Sequence, residues 1–168
     1  AAAGKLTLLV GADAADLERA RPFLVPLSTT LRHFGAVGTG TVYKLINNLM
    51  GAIQIAGIAE GLAIAEQAGL DMKLVLEAVE SGVAASPQVI RHSRRMVERN
   101  FADATFTASL RQKDAAYAVA LAESLLRDAP IMGRAAVAAY DRAKAHGPDD
   151  DEGKMIEIVS RPNADRAR

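Results

Sequence analysis

An apolar helical pattern runs from Thr39 to about Gln67, where Ala68-Gly69-Leu70 supplies a terminating glycine. At 1.5 Å per residue such a helix is about 42 Å long. Few single domains bury a helix of that length, so the chain must either wrap a helical bundle around it or share it between subunits. Its most apolar stretch, Leu49 to Ala65, is interrupted by Gln54 and Glu60. It falls short of the roughly eighteen uninterrupted residues of a spanning helix and reads as a core or interface helix. Within it, Gly57-x-x-x-Gly61 lets another helix approach closely.

The rest of the chain follows that lead. Half of the 168 residues are hydrophobic, ample for the core of one domain, or of one and a fragment. Leu6 to Val10 reads as a strand ending at Gly11, and Asp13 as the cap of a helix from Ala14 to Arg21, closed by Pro22 and Pro26. Thr29 to Phe34 alternates as a second strand. Beyond the long helix, Asp71 caps a helix to about Glu80, and Ser86-Pro87 opens another to about Glu98. Ser109 is the expected cap of a helix to Arg127, Pro130 opens one to about Ala145, and Gly147-Pro148 ends it. Asp149 to Glu152 lacks the spacing of a calcium loop and reads as acidic capping of a last helix, from about Glu152 to Ser160. The predicted fold is mainly α: about six helices bundled around one long central helix, with a residual α/β edge of two short strands and a helix at the N-terminus. Residues 36–160 form the helical domain, and 161–168, without apolar pattern, a disordered tail.

Twenty basic and twenty acidic residues give no net charge, which disfavours nucleic acid or an anionic membrane as partner. Cysteine is absent, so no disulfide or thiolate metal site can form, and a reducing compartment is compatible. No export signal is expected at Ala1-Ala2-Ala3-Gly4-Lys5, and the cytoplasm is the default location. His33, His92 and His146 have no i, i+4 partner, so no metal site is expected. Arg91, Arg94, Arg95 and Arg99 make a basic helix face that could attract a phosphate or an acidic partner, although most such faces are merely solvated.

Chemistry concentrates where the long helix begins. Gly35, Gly38 and Gly40 fall within six positions, suiting a tightly turned backbone, and the dinucleotide and P-loop glycine fingerprints both fail here. Lys44 stands three and four residues before Asn47 and Asn48, so an ammonium and at least one amide share a helix face. The positive end of the helix dipole disfavours that ammonium, which suits proton transfer. The plain alternative is a strand-to-helix turn followed by a solvent-facing lysine.

The pattern Gly35-x-x-Gly38-x-Gly40-x-x-x-Lys44-x-x-Asn47-Asn48 resembles the catalytic motif of the β-hydroxyacid dehydrogenase family. That family comprises the 3-hydroxyisobutyrate and tartronate semialdehyde dehydrogenases, with 6-phosphogluconate dehydrogenase as a relative. A second block, Phe106-x-x-x-Leu110-x-x-Lys113-Asp114, resembles the family's later motif. By itself Lys113-Asp114 would read as a solvated helix start, the two side chains about 100° apart and free not to pair.

The resemblance implies an NAD(P)-dependent oxidoreductase that converts a short hydroxyacid to its semialdehyde or the reverse. It makes Lys44 the general acid/base and places Gly38, Thr39, Gly40, Asn47 and Asn48 around the substrate. Phe106, Lys113 and Asp114 would then lie by the cofactor. It also implies that residues 1–35 are the remnant of the end of a Rossmann-type domain, that NAD or NADP is bound mainly by an upstream domain, and that the protein is at least a homodimer. No G-x-G-x-x-G turn occurs in the chain. The chain alone is therefore expected to be inactive, and a non-catalytic helical oligomerisation domain derived from the family is the alternative.

Overall fold

Parallel strands cannot be joined by a hairpin, so the two β-rich runs near the N-terminus need a crossover. In the computed structural model, which describes residues 4–104 and 106–160, β1 (Leu6–Val10) and β2 (Ser28–His33) pair in parallel. Leu8 lies opposite Leu31 and Val10 opposite His33. The crossover is α1 (Ala14–Leu24) followed by a 3-10 turn, Val25–Leu27. The helix runs three residues past the end expected at Arg21, with Pro22 inside it. Proline's fixed φ is helical, so in a last turn its cost is chiefly one missing N–H. Ala1 to Ala3 and the tail expected to be disordered, Arg161 to Arg168, lie outside the described residues.

Helix α2 spans Thr39–Gln67, the bounds its pattern predicts. Gly69 at φ 76° ends it, and the Leu70 N–H turns back to the Ala65 carbonyl. Four further helices follow: α3 (Met72–Ser81), α4 (Pro87–Val97), α5 (Ala108–Leu125) and α6 (Ile131–His146). A 3-10 turn, Glu152–Lys154, leads into α7 (Met155–Val159). Asp71 caps α3 and Ser86 caps α4, each side chain accepting a first-turn N–H as expected.

The start of α5 differs from expectation. Thr107, not Ser109, is the cap, its Oγ1 accepting from the Leu110 N–H. The N–H groups of Ala108 and Ser109 are already taken by the carbonyls of Asp150 and Pro148, and Thr107 bridges to Asp151. That strand-like contact fixes the extended backbone at Thr107 and so moves the helix start.

Two compact units result, Ala1–Asn47 and Asn48–Arg168, divided inside α2. In the second, Ala52, Ile55, Ala59 and Leu62 of α2 pack with Met96, Ala115, Ala136, Tyr140 and Ile156 in one core. Small residues let α5 and α6 pack closely; a Cβ on Gly133 would stand 2.9 Å from Val119 Cγ2. Helix α2 has the length and apolarity of a membrane span, and half of that window is buried inside the protein, as in a core helix. The Gly57 and Gly61 face is not covered by a helix of this chain: among the described residues, nothing beyond the helix's own backbone lies within 4 Å of where either Cβ would be.

Candidate active site

The first unit holds the glycine turn and Lys44. Gly35 and Gly38 have φ of 108° and 94°, left-handed values that favour glycine. The turn is tied to the end of β1. The Ala12 N–H donates to the Gly35 carbonyl at 2.8 Å, and His33 Nε2 donates to the carbonyls of Ala12 at 2.7 Å and Gly35 at 3.0 Å. The Thr39 hydroxyl donates to the Ala36 carbonyl within the turn itself. Phe34 stacks on Tyr43 with ring centroids 4.4 Å apart, linking the end of β2 to the first turns of α2. Lys44 and Asn47 are exposed on that helix.

Asn48 and the later motif lie in the second unit, and there the structure brings residues far apart in sequence together. Asn48 is buried, and its Nδ2 donates to Asp114 Oδ2 at 2.7 Å. A carboxylate only accepts, so this contact fixes which way the amide faces: nitrogen to Asp114, Oδ1 away from it. Lys113 Nζ lies 3.5 Å from Asp114 Oδ1, so the neighbours, free not to pair, do so here. The long lysine stem reaches round the helix to its neighbour's carboxylate. Half-exposed, Lys113 keeps donors available to an anionic group.

Phe106 is partly exposed, and the Arg111 guanidinium lies 4.4 Å from its ring centroid. Arg111 is buried and forks onto Glu152, Nε at 2.5 Å and Nη2 at 2.9 Å. Burial works against the Arg111 charge, but the bond to Glu152 outweighs it and raises the pKa. Burial likewise raises the Glu152 carboxyl, against the opposing pull of Arg111. His92 Nε2 stands 3.6 Å from Glu152 Oε1, and burial holds this imidazole down at about 4. Burial, with the Glu152 charge next, pushes the Tyr140 phenol well above its usual range.

Sequence reasoning did not find this buried cluster, because Arg111 and Glu152 are 41 positions apart and no local pattern links them. One trace exists: Glu152 ends the acidic run and is followed by Gly153, Lys154 and then the apolar Met155 and Ile156. Of the arginines expected on one helix face, Arg99 lies beyond the end of α4 at φ 52°, and three are matched by acids. Arg94 pairs with Glu80, Arg95 with Asp151 and Arg99 with Glu66.

For a nicotinamide dinucleotide, a partly open aromatic ring at Phe106 and a half-exposed ammonium at Lys113 are suitable in kind, an apolar face and a cation for phosphate.

A family model described as NAD-binding of NADP-dependent 3-hydroxyisobutyrate dehydrogenase matches residues 38–159. The chain is 32% identical over 157 residues to glyoxylate/succinic semialdehyde reductase 2, chloroplastic, of Arabidopsis thaliana, covering 93% of this chain and 43% of that protein. It is 33% identical over 127 residues to the 2-hydroxy-3-oxopropionate reductase of Escherichia coli, covering 76% and 43%. Among solved structures, the 3-hydroxyisobutyrate dehydrogenase of Mycobacterium tuberculosis with L-serine superposes with a TM-score of 0.84 at 28% identity, over 95% of this chain and 56% of that one. The chain thus spans less than half the length of these two curated relatives.

Proposed function

The chain belongs to the 3-hydroxyisobutyrate dehydrogenase family, and from that premise we propose that it is the C-terminal part of an NAD(P)-dependent oxidoreductase acting on the CH–OH group of a short hydroxyacid. The observation that carries this reading is the bond between Asn48, the last residue of the first motif, and Asp114 of the later one. Lys44 is the general acid/base: as free amine it takes the hydroxyl proton during oxidation, and as ammonium it returns it during reduction. Asn48, its nitrogen committed to Asp114, offers Oδ1 to the substrate hydroxyl. Asn47, Gly38, Thr39 and Gly40 line the substrate side. Phe106, Lys113 and Asp114 face the cofactor, with Lys113 the cation for a phosphate or carboxylate. The cofactor supplies hydride chemistry and is held mainly by a preceding domain. The cysteine-free sequence accords with the cytoplasm.

Two measurements test this. The complete protein should interconvert a short hydroxyacid and its semialdehyde with NAD or NADP, read from nicotinamide absorbance; no turnover of any such acid would overturn the assignment. Calorimetry on the 168-residue chain should show no sub-micromolar binding of either dinucleotide, since no turn in it can cradle a pyrophosphate.

A second reading, a helical association domain without catalysis, is favoured by a different observation. A groove of about 760 Å³ opens between α2, α3 and α4, lined by Gly57, Ile58, Gly61, Val75 and Val79. Leu74 and Val83 stand exposed on the same elements and their turn. Both readings require at least a homodimer, and light scattering that returned a monomer at high micromolar concentration would count against each.

A further inference from the structure

Asn48 is gripped at two points by residues one turn apart on α5. Asp114 holds its side-chain amide at 2.7 Å, and Arg111 Nη1 donates to its main-chain carbonyl at 3.3 Å. Positions 111 and 114 share a helix face, so one face of α5 fixes both where residue 48 stands and which way its amide turns. Arg111 is itself immobilised: two further N–H groups fork onto Glu152, and its plane lies against Phe106. An ion pair needed only for stability would not require this. A lysine could supply the charge, but only a planar fork donates in three directions while stacking on a ring.

Gly51 supplies an independent observation. It is buried in the interior of α2, where glycine costs about 1 kcal/mol relative to alanine. A Cβ there would stand 3.1 Å from Arg111 Nη1 and 3.2 Å from Gln88 Nε2. The missing methyl is the space through which the guanidinium reaches the Asn48 carbonyl.

We infer that Arg111 is a positioning residue, admitted by Gly51 and anchored by Glu152, that sets the place of the Asn48 amide and the Phe106 ring in the site. The inference rests on the proposed function for the claim that Asn48 and Phe106 meet substrate and cofactor. The contacts themselves do not depend on it.

The test therefore has two arms. In the 168-residue chain, NMR of the Asn48 side-chain NH₂ reads the clamp directly, with no activity required. Arg111→Lys and Gly51→Ala should each shift that resonance pair and speed its exchange with water about tenfold. Backbone amides in the core, such as those of Ile55 and Tyr140, should keep their protection. Gly51→Ala is the variant that separates positioning from structure, because alanine favours the helix and only a side-chain tip has to move aside. If neither variant alters the Asn48 NH₂, the inference is overturned, whatever the protein catalyses. In the complete enzyme, Gly51→Ala should raise KM for the hydroxyacid about tenfold with thermal stability unchanged or higher. An active enzyme whose KM and kcat both stay within twofold of wild type would equally overturn it. An inactive wild-type protein would refute the proposed function while the NMR arm still decides this one.

Discussion

Gly40 stands so close to the end of β1 that a Cβ on it would fall 2.5 Å from the Leu9 carbonyl oxygen and 3.0 Å from the Gly11 nitrogen. Gly11 is pressed in the same way, a Cβ there meeting the Ala36 carbonyl at 2.5 Å and Thr39 Oγ1 at 2.7 Å. The two glycines let the strand end and the first turn of α2 pack closely, and at Gly40 every near neighbour is main chain, with no side chain that could adjust.

Gly40→Ala should consequently destabilise the first unit by about 1–3 kcal/mol, the usual range for overpacking a site that cannot relax. Gly57→Ala is the contrasting control. It too lies inside α2, but in open space, and there alanine should be neutral or gain up to about 1 kcal/mol. Urea unfolding of both variants checks the pair. Equal stabilities would mean that the strand end yields to accommodate the methyl.

Acid should destabilise the second unit through His92. Burial, then the positive charge of Arg91, lowers its pKa from 6.5 to about 4; Arg111 and Arg95 add to this and Asp151 opposes it. The unfolded chain therefore binds the proton first as pH falls, and stability present above about pH 6.5 is lost on the way to about pH 4. Between about pH 7.5 and about pH 5 this one group accounts for roughly 2 kcal/mol. Glu152 acts in the opposite sense: its raised pKa means protonation favours the folded state, which blunts the acid end of the slope. His92→Leu should flatten the dependence of urea midpoint on pH across this window. A variant retaining the wild-type slope would assign the acid sensitivity to other groups.

What the sequence disclosed, and what it withheld, divides by the range of the interaction. The bounds of α2, the caps at Asp71 and Ser86 and the stop at Gly69 are decided within a few residues, by periodicity, by side-chain oxygens and by one left-handed φ. The start of α5 departs from its local pattern because its cap is chosen by carbonyls more than 35 positions on, at Pro148 and Asp150. Lys44, Asn48, Lys113 and Asp114 could be picked out through resemblance, but the clamp that sets Asn48 could not. Arg111, Gly51 and Glu152 look in sequence like a helix charge, a helix glycine and a cap, and only the folded chain brings them to one carbonyl.

Removing the Asp114 carboxylate should disturb substrate binding more than folding. In the complete enzyme, Asp114→Ala frees the Asn48 amide to turn, which should raise KM for the hydroxyacid about tenfold at a stability cost of about 1 kcal/mol. Asp114→Asn retains an acceptor oxygen that can face Nδ2, and it should recover much of the lost affinity. Steady-state kinetics on the two variants tests the point. If alanine and asparagine are equally impaired, the carboxylate charge matters for itself and the orienting role assigned to it fails.

Lys44 separates proton transfer from charge. If it is the acid/base, Lys44→Ala in the complete enzyme should lower kcat by roughly 10²–10⁴ while leaving cofactor affinity nearly unchanged, the usual cost of losing a positioned proton-transfer group. Its exposure on the first turns of α2 makes a large stability loss unexpected, so the fall should appear at full folded concentration, verified by circular dichroism. Lys44→Arg then decides the mechanism. Arginine keeps the positive charge and could still hold a substrate carboxylate, but it does not release a proton in the working range, so it should rescue binding and not turnover. Pre-steady-state reduction of the cofactor would locate the defect in the chemical step. Should Lys44→Arg retain most of the wild-type kcat, Lys44 would be an electrostatic anchor, and the hydroxyl proton would have to leave by another group.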